Sequence, residues 1–140
     1  MAQDVKIEQV GVFSLHKTWT NGKFFRCALT LEPGPSMLRI FWNKDHVYSI
    51  SVPPAPKGPG ALMMRIPMGK AGSYSFDAKT DGKRAWANID AESIGKFMDL
   101  KKQIVIDIGG AHYVWQIGAT KLEDAFVKLE DCVHKETGGR

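Results

Sequence analysis

The sequence has few cysteines and no long apolar run, and both shortages restrict what the protein can be. Its two cysteines, Cys27 and Cys132, lie far apart and form no Cys-x-x-Cys motif for zinc binding or redox chemistry. No segment approaches the roughly 20 consecutive apolar residues that a membrane-spanning helix requires. The net charge of +4 is small and the basic residues are scattered, so we predict a solvated surface and no nucleic-acid partner.

The sequence also lacks the spacings that mark catalytic and metal sites. The histidines form no His-x-His or His-x-x-x-His pair, since they stand at His16, His46, His112 and His134. No serine lies in a Gly-x-Ser-x-Gly elbow, and Gly109-Gly110 matches no phosphate loop. Met63, Met64 and Met68 suit a soft metal, but methionine more commonly fills gaps in a core. We therefore predict no catalytic residue, no cofactor, no metal site and no enzymatic activity.

A C-terminal helix gives the clearest structural signal. Thr120 is a good N-cap residue, and Glu123 follows three residues later at the spacing of a capping box. One face of the helix is apolar and comprises Leu122, Ala125, Phe126, Leu129, Cys132 and Val133. A helix of this length is marginal alone in water, so it must bury that face. We predict a helix over residues 121–134 that packs on a sheet.

The rest of the chain predicts a mainly β, antiparallel domain over residues 1–140. Apolar and polar residues alternate in short segments, and one predicted face comprises Phe25, Cys27, Leu29 and Leu31. Residues 5–15 contain the first strand, and Asn21-Gly22 marks a turn. A short helix near 91–98 follows Asp90, which we predict as its N-cap residue. Roughly eight to ten strands at near-regular intervals indicate a β-sandwich or barrel-like domain.

The N-terminus and the cysteines together favour export. The start, Met1-Ala2-Gln3-Asp4, has no signal-peptide regions, but Ala-Gln-Asp is typical of what remains after signal peptidase cleavage. We expect a mature exported protein with an added initiator Met. A bridge between Cys27 and Cys132 would close a loop of roughly 100 residues and stabilise the fold by about 4–5 kcal/mol. The alternative is a cytosolic protein with two buried free thiols.

Two segments are candidates for a contact surface. The first is the proline-rich loop from Pro53 to Gly60, in which we single out Pro54 and Lys57. The second is a predicted hairpin strand whose core positions are Ala85, Ala87 and Ile89. On that strand Arg84 and Trp86 face away from the core, and Trp86 is the best single candidate for an exposed contact. The alternative is that a second layer or the C-terminal helix covers this face.

The order of these features resembles the invasion-associated locus B family and related small periplasmic domains of Gram-negative bacteria. The resemblance rests on Trp19 and Cys27, the segment from Gly34 to Trp42, Ser51-Val52-Pro53, Ile89-Asp90, Trp115-Gln116-Ile117-Gly118, Ala125-Phe126, Leu129 and Cys132. It implies an exported β-sandwich with a C-terminal helix and a cysteine bridge. Members of the family are linked to host interaction and envelope fitness, and the resemblance supplies no catalytic residues.

The sequence therefore predicts an exported, non-enzymatic binding domain, periplasmic or secreted, that acts through protein–protein contacts in virulence or at the envelope. Two alternatives stay open at this point. One is an inhibitor that inserts a rigid loop into a host or envelope enzyme. The other is an enzyme whose site carries no recognisable motif, which a deep pocket with convergent acids would favour.

Overall fold

The computed structural model describes residues 2–31, 37–53 and 62–138 of the chain. Ten strands, two α-helices and one turn of 3-10 helix (Gly69–Ala71) lie in these residues. The strands are β1 (Ala2–Val10), β2 (Phe13–Thr20), β3 (Lys23–Leu31), β4 (Leu38–Asn43), β5 (Tyr48–Val52), β6 (Leu62–Pro67), β7 (Ser73–Thr80), β8 (Ala85–Ile89), β9 (Lys102–Ile108) and β10 (Ala111–Gly118). The helices are α1 (Ala91–Phe97) and α2 (Leu122–Thr137).

All ten strands belong to one antiparallel sheet in the order β1-β2-β3-β4-β5-β8-β7-β6-β9-β10. Neighbours along the chain pair as hairpins, except that β5 pairs with β8 and β6 pairs with β9. The sheet curls into a half-barrel, with α2 packed on it. The predicted fold class is confirmed, and of its two forms the structure adopts the barrel-like one, a single continuous sheet.

The core lies between one face of this sheet and α2. All six residues of the predicted apolar face of α2 are buried, and the helix lies mainly against β3 and β4. Helix α1 joins the same core through Phe97, whose ring meets that of Phe126 edge-on at a centroid distance of 6.1 Å. The predicted cap of α1 is confirmed, because the Ser93 N–H donates to Asp90 Oδ2 over 3.0 Å.

A covalent link fastens α2 to the sheet. The structure joins Cys27 of β3 to Cys132 of α2, with the two sulfur atoms 2.06 Å apart and a separation of 105 positions in the chain. Both cysteines are buried. Polar contacts lie beside the link: Lys17 Nζ is 2.8 Å from Glu136 Oε2, and the Tyr48 hydroxyl donates to the Glu130 carboxylate. The helix is therefore held by its apolar face, by the bridge and by side-chain contacts that include these two.

The predicted start of the C-terminal helix is wrong in detail. Lys121 is the N-cap residue and provides no side-chain hydrogen bond. Thr120 Oγ1 instead accepts the backbone N–H of Val12 over 3.1 Å. A contact from a distant turn has therefore replaced the local capping box. At the other end the helix continues past residue 134 to Thr137, and Gly138 ends it in the left-handed conformation with φ of 69°.

The N-terminal strands depart from the prediction in one respect. Residues 5–15 contain part of the first strand, as predicted, and they also contain a turn, because Gly11 adopts a positive φ of 60° between β1 and β2. Phe25 does not share the core face with Cys27. The pairing of β2 with β3 shifts near Phe25, so that Phe24 packs against the core instead. An extra residue in one strand reverses the inward and outward positions beyond it.

Removing the bridge tests how strongly it holds α2. We expect Cys132→Ser to lower the free energy of unfolding by about 4–5 kcal/mol, because the unfolded chain regains the entropy of a loop of roughly 100 residues. Urea denaturation of the variant and of the wild type measures the difference. Reductant should lower the free energy of unfolding of the wild type by the same amount and leave that of Cys132→Ser unchanged. A wild-type midpoint that does not respond to reductant would contradict this expectation.

Candidate functional site

A cluster of arginines lies on the face of the sheet opposite α2. Because successive side chains of a strand point to opposite faces, the neighbours of Cys27 on β3 face away from the helix. The same alternation holds on β4, β5 and β8, where buried core residues alternate with residues of the other face. The residues of that other face include Arg26, Arg39, Phe41, Ser49, Ser51, Arg84 and Trp86.

The strand register brings these side chains together into one concavity. Arg39 of β4 stands directly across from Ser51 of β5, and Ser51 stands across from Trp86 of β8. Phe41 pairs in the same way with Ser49. A cavity of about 370 Å³ opens here, and we call it the arginine pocket. Its lining comprises Arg26, Met37, Arg39, Phe41, Ser49, Ser51, Asp81, Arg84 and Trp86.

Arg84 is fixed by neutral partners. Its Nε donates to Ser51 Oγ over 2.9 Å, and its Nη1 donates to the carbonyl oxygen of Met37 over 2.8 Å. Its Nη2 is buried and has no hydrogen-bond partner among the described residues. The nearby Asp81 carboxylate accepts the backbone N–H groups of Lys83 and Arg84 rather than the guanidinium. Arg84 therefore has a fixed position but no carboxylate partner in the described part of the chain.

Arg39 is the one arginine of the pocket that pairs with a described carboxylate. Its Nε donates to Thr30 Oγ1 over 3.1 Å, and its Nη2 lies 3.2 Å from Asp4 Oδ1. Asp4 also accepts from the Thr18 hydroxyl over 2.8 Å and lies 3.0 Å from His16 Nδ1. Burial raises the pKa of Asp4, but the Thr18 hydrogen bond and the charges of Arg39 and His16 outweigh it, so the pKa is lowered.

Arg26 has no polar partner among the described residues. Its Cζ lies 3.6 Å from the ring centroid of Phe41 and 4.9 Å from that of Phe25, so the guanidinium lies over two aromatic rings. Its Nε is buried without a hydrogen bond. Burial and the charge of Arg39 lower the pKa of Arg26 to about 10. The group is still protonated at pH 7, so it places an unpaired positive charge in the pocket.

These features describe a site prepared for an anion. A buried N–H without a partner costs roughly 1–3 kcal/mol, and the pocket contains one on Arg26 and another on Arg84. Burial lowers the pKa values of Arg26 and Arg84, and the positive charge of Arg39 lowers both further, so Arg39 repels each of these two arginines. An anion seated among them would relieve this repulsion and accept the remaining hydrogen bonds.

Only some of the contact residues predicted from the sequence line the arginine pocket. Arg84 and Trp86 both line the arginine pocket, and Trp86 is half-buried at its edge. The alternative in which the C-terminal helix covers this face is wrong, because α2 packs on the opposite face. Pro54 and Lys57 lie outside the described residues. Sequence reasoning missed Arg26 and Arg39, although each lies directly beside a core position of its strand, which was the available signal.

Two of the histidines lie close together, although they stand on separate elements. His46 stacks on Trp42 at a centroid distance of 4.4 Å, and the His134 ring meets Trp42 edge-on at 5.1 Å. Residues on two separate predicted elements are therefore neighbours beside the bridge. Within the described ranges, no group of three or more histidine, cysteine, aspartate or glutamate side chains is arranged to hold a metal ion.

Comparisons with known proteins do not place the chain in a family. No family model, no curated protein and no solved structure matches it. The resemblance drawn from the sequence therefore stays a hypothesis. No helix in the described part of the chain is long and apolar enough to cross a membrane.

Replacing Arg26 by methionine should leave the fold as stable as before or raise its melting temperature. The lowered pKa means that the folded state disfavours the charged form, and this penalty is fully present at pH 7, below both the folded and unfolded pKa values. It disappears only as the pH rises above about 10. Calorimetry of Arg26→Met at pH 7 measures the effect. A clear fall in the melting temperature would show that the Arg26 charge stabilises the fold.

Proposed function

We propose that the protein is a non-enzymatic binding domain that holds a protein partner through the arginine pocket. The observation that carries this proposal is the arrangement of three arginines around one cavity, of which only Arg39 pairs with a carboxylate in the described part of the chain. Arginine-rich, partly aromatic surfaces are typical of protein interfaces, where arginine and tryptophan side chains often supply much of the binding energy.

The chemistry of the pocket favours holding a ligand over transforming it. Arg26 has a pKa of about 10 and stays protonated at neutral pH, so it is a poor proton donor or acceptor there. The backbone N–H groups of Arg84 and Lys83 lower the pKa of Asp81, which makes its carboxylate a weak base. Ser51 accepts a hydrogen bond from Arg84 and helps to fix that guanidinium. Each of these groups supports binding and orientation of an anionic group.

We further infer that the protein acts outside the cytoplasm, in the periplasm or as a secreted protein, at the envelope or in virulence. The cysteine pair at bonding distance supports this, because disulfides persist mainly in oxidising compartments. The resemblance to the invasion-associated locus B family points the same way. Immunoblotting of cytoplasmic, periplasmic and culture fractions, with thiols alkylated before denaturation, tests it. A cytoplasmic protein with two reactive thiols would contradict the inference.

The pocket residues identify the binding face in a capture experiment. We expect the wild-type protein to retain a specific partner from envelope and host extracts, and the double variant Arg84→Ala, Trp86→Ala to retain at least about tenfold less. The control is Lys121→Ala, Val127→Ala, which changes exposed residues at the start of α2 and on its solvent side. Quantitative mass spectrometry of the bound fractions measures the difference. Equal capture by both double variants would count against the arginine pocket as the binding face.

A further inference from the structure

We propose that the arginine pocket binds the carboxylate of an acidic side chain that the partner protein presents, an inference that rests on the proposed function. The donors for such a group are already in place. Arg26 forms no hydrogen bond with a described residue, and Arg39 and Arg84 each use only two of their three guanidinium nitrogens. A guanidinium is planar and matches the two oxygens of a carboxylate in a bidentate pair.

The charge of the pocket fits one negative charge. Three guanidinium groups line it, and the carboxylates of Asp81 and of Asp4, the partner of Arg39, offset two of them. Among the described residues, one formal positive charge therefore remains. A carboxylate cancels it, whereas a phosphate monoester carries about −1.5 to −2 near pH 7 and would leave an excess of negative charge. The balance thus favours an aspartate or glutamate side chain over a phosphorylated one.

The surroundings of the charge fit a peptide rather than a small free anion. The cavity of about 370 Å³ is larger than a single carboxylate group and falls in the range of sites that hold organic ligands. Trp86, half-buried at the edge, offers an aromatic surface for the methylene groups and backbone beside the carboxylate. Phe41 is 5% exposed beneath Arg26, so it holds the guanidinium in position rather than contacting a ligand.

Binding also changes the two buried N–H groups. Arg26 Nε and Arg84 Nη2 are shielded from solvent and have no partner among the described residues. Both belong to arginines that line the cavity, so an anion bound there can supply the acceptor that each N–H lacks. Both groups then exchange an unsatisfied state for a charge-assisted hydrogen bond, which is the stronger class of hydrogen bond in proteins.

The test uses a capped peptide of six glutamates and the matched peptide of six glutamines as probes. In about 0.15 M salt, where surface charges are largely screened, nitrogen-detected NMR follows the Nε–H signals of the arginines and the indole N–H of Trp86. We expect the glutamate peptide to shift the signals of Arg26, Arg39, Arg84 and Trp86 saturably. The glutamine peptide should leave them unchanged, and inorganic phosphate should bind more weakly than the glutamate peptide.

Variants separate the pocket from general positive charge. Arg26→Met should weaken binding of the glutamate peptide about tenfold or more, and Arg26→Lys, which keeps the charge without the planar fork, should weaken it less. Arg65→Met, at an exposed arginine of β6, is the matched control and should bind like the wild type. The melting temperature of each variant shows whether a loss of binding comes from unfolding. If Arg26→Met is unfolded, the binding affinity of Arg26→Lys tests the inference instead.

Three results would overturn the inference: no saturable shift with the glutamate peptide, equal weakening by Arg65→Met, or tighter binding of phosphate. Its failure is distinguishable from that of the proposed function. If a captured partner depends on Arg84 and Trp86 but excess glutamate peptide does not displace it, the carboxylate inference is wrong and the binding face stands. If the Arg84→Ala, Trp86→Ala variant captures the partner as well as the wild type while the glutamate peptide still binds in the pocket, the proposed function is wrong.

Discussion

The packing of α2 on one face of the sheet is the constraint from which the other features follow. The helix must bury its apolar face, and the link between Cys27 and Cys132 fixes it against β3. Since Cys27 faces α2, the neighbouring Arg26 must face the other way. The strand register then extends this division of the sheet to Arg39, Ser51 and Trp86. One face thus becomes the core and the other becomes available for contacts.

The arginine pocket holds charged groups in positions that disfavour their charge. A fold under selection for stability alone would place an apolar or hydrogen-bonded side chain where Arg26 stacks on Phe41. The lowered pKa values of Arg26 and Arg84 record the same unfavourable placement of charge. Strongly perturbed groups gathered in a cleft are typical of functional sites, where stability is lower than it would otherwise be. The stability of this region and the proposed binding function are therefore opposed.

Local patterns predicted those parts of the fold that depend on local physics. The apolar face of α2, the cap at Asp90 and the alternation of Ala85, Trp86 and Ala87 follow from periodicity and short-range hydrogen bonds, and the structure has each of them. The same alternation identified Arg84 and Trp86, which are two of the pocket residues. These features need no knowledge of which strands are neighbours.

Features that depend on distant contacts were not predictable in this way. Thr120 has the local chemistry of an N-cap, but its hydroxyl oxygen accepts a hydrogen bond from the backbone N–H of Val12. The shift in pairing near Phe25 depends on the register with β2, which no single strand reveals. Arg26 and Arg39 look like ordinary surface charges until β4 is placed beside β3. The pocket depends on the order of the strands in the sheet, and that order cannot be predicted from any one segment of the sequence.

The contact between Thr120 and the first hairpin has a consequence for how the chain assembles. An added Cβ at Gly11 would lie 2.5 Å from Thr120 Oγ1, so the turn and the start of α2 fit closely against each other. These two segments are 108 residues apart in the sequence. Bringing such distant segments together early carries a large entropic penalty. We therefore expect the two ends of the polypeptide to join last during folding, after the central strands have formed.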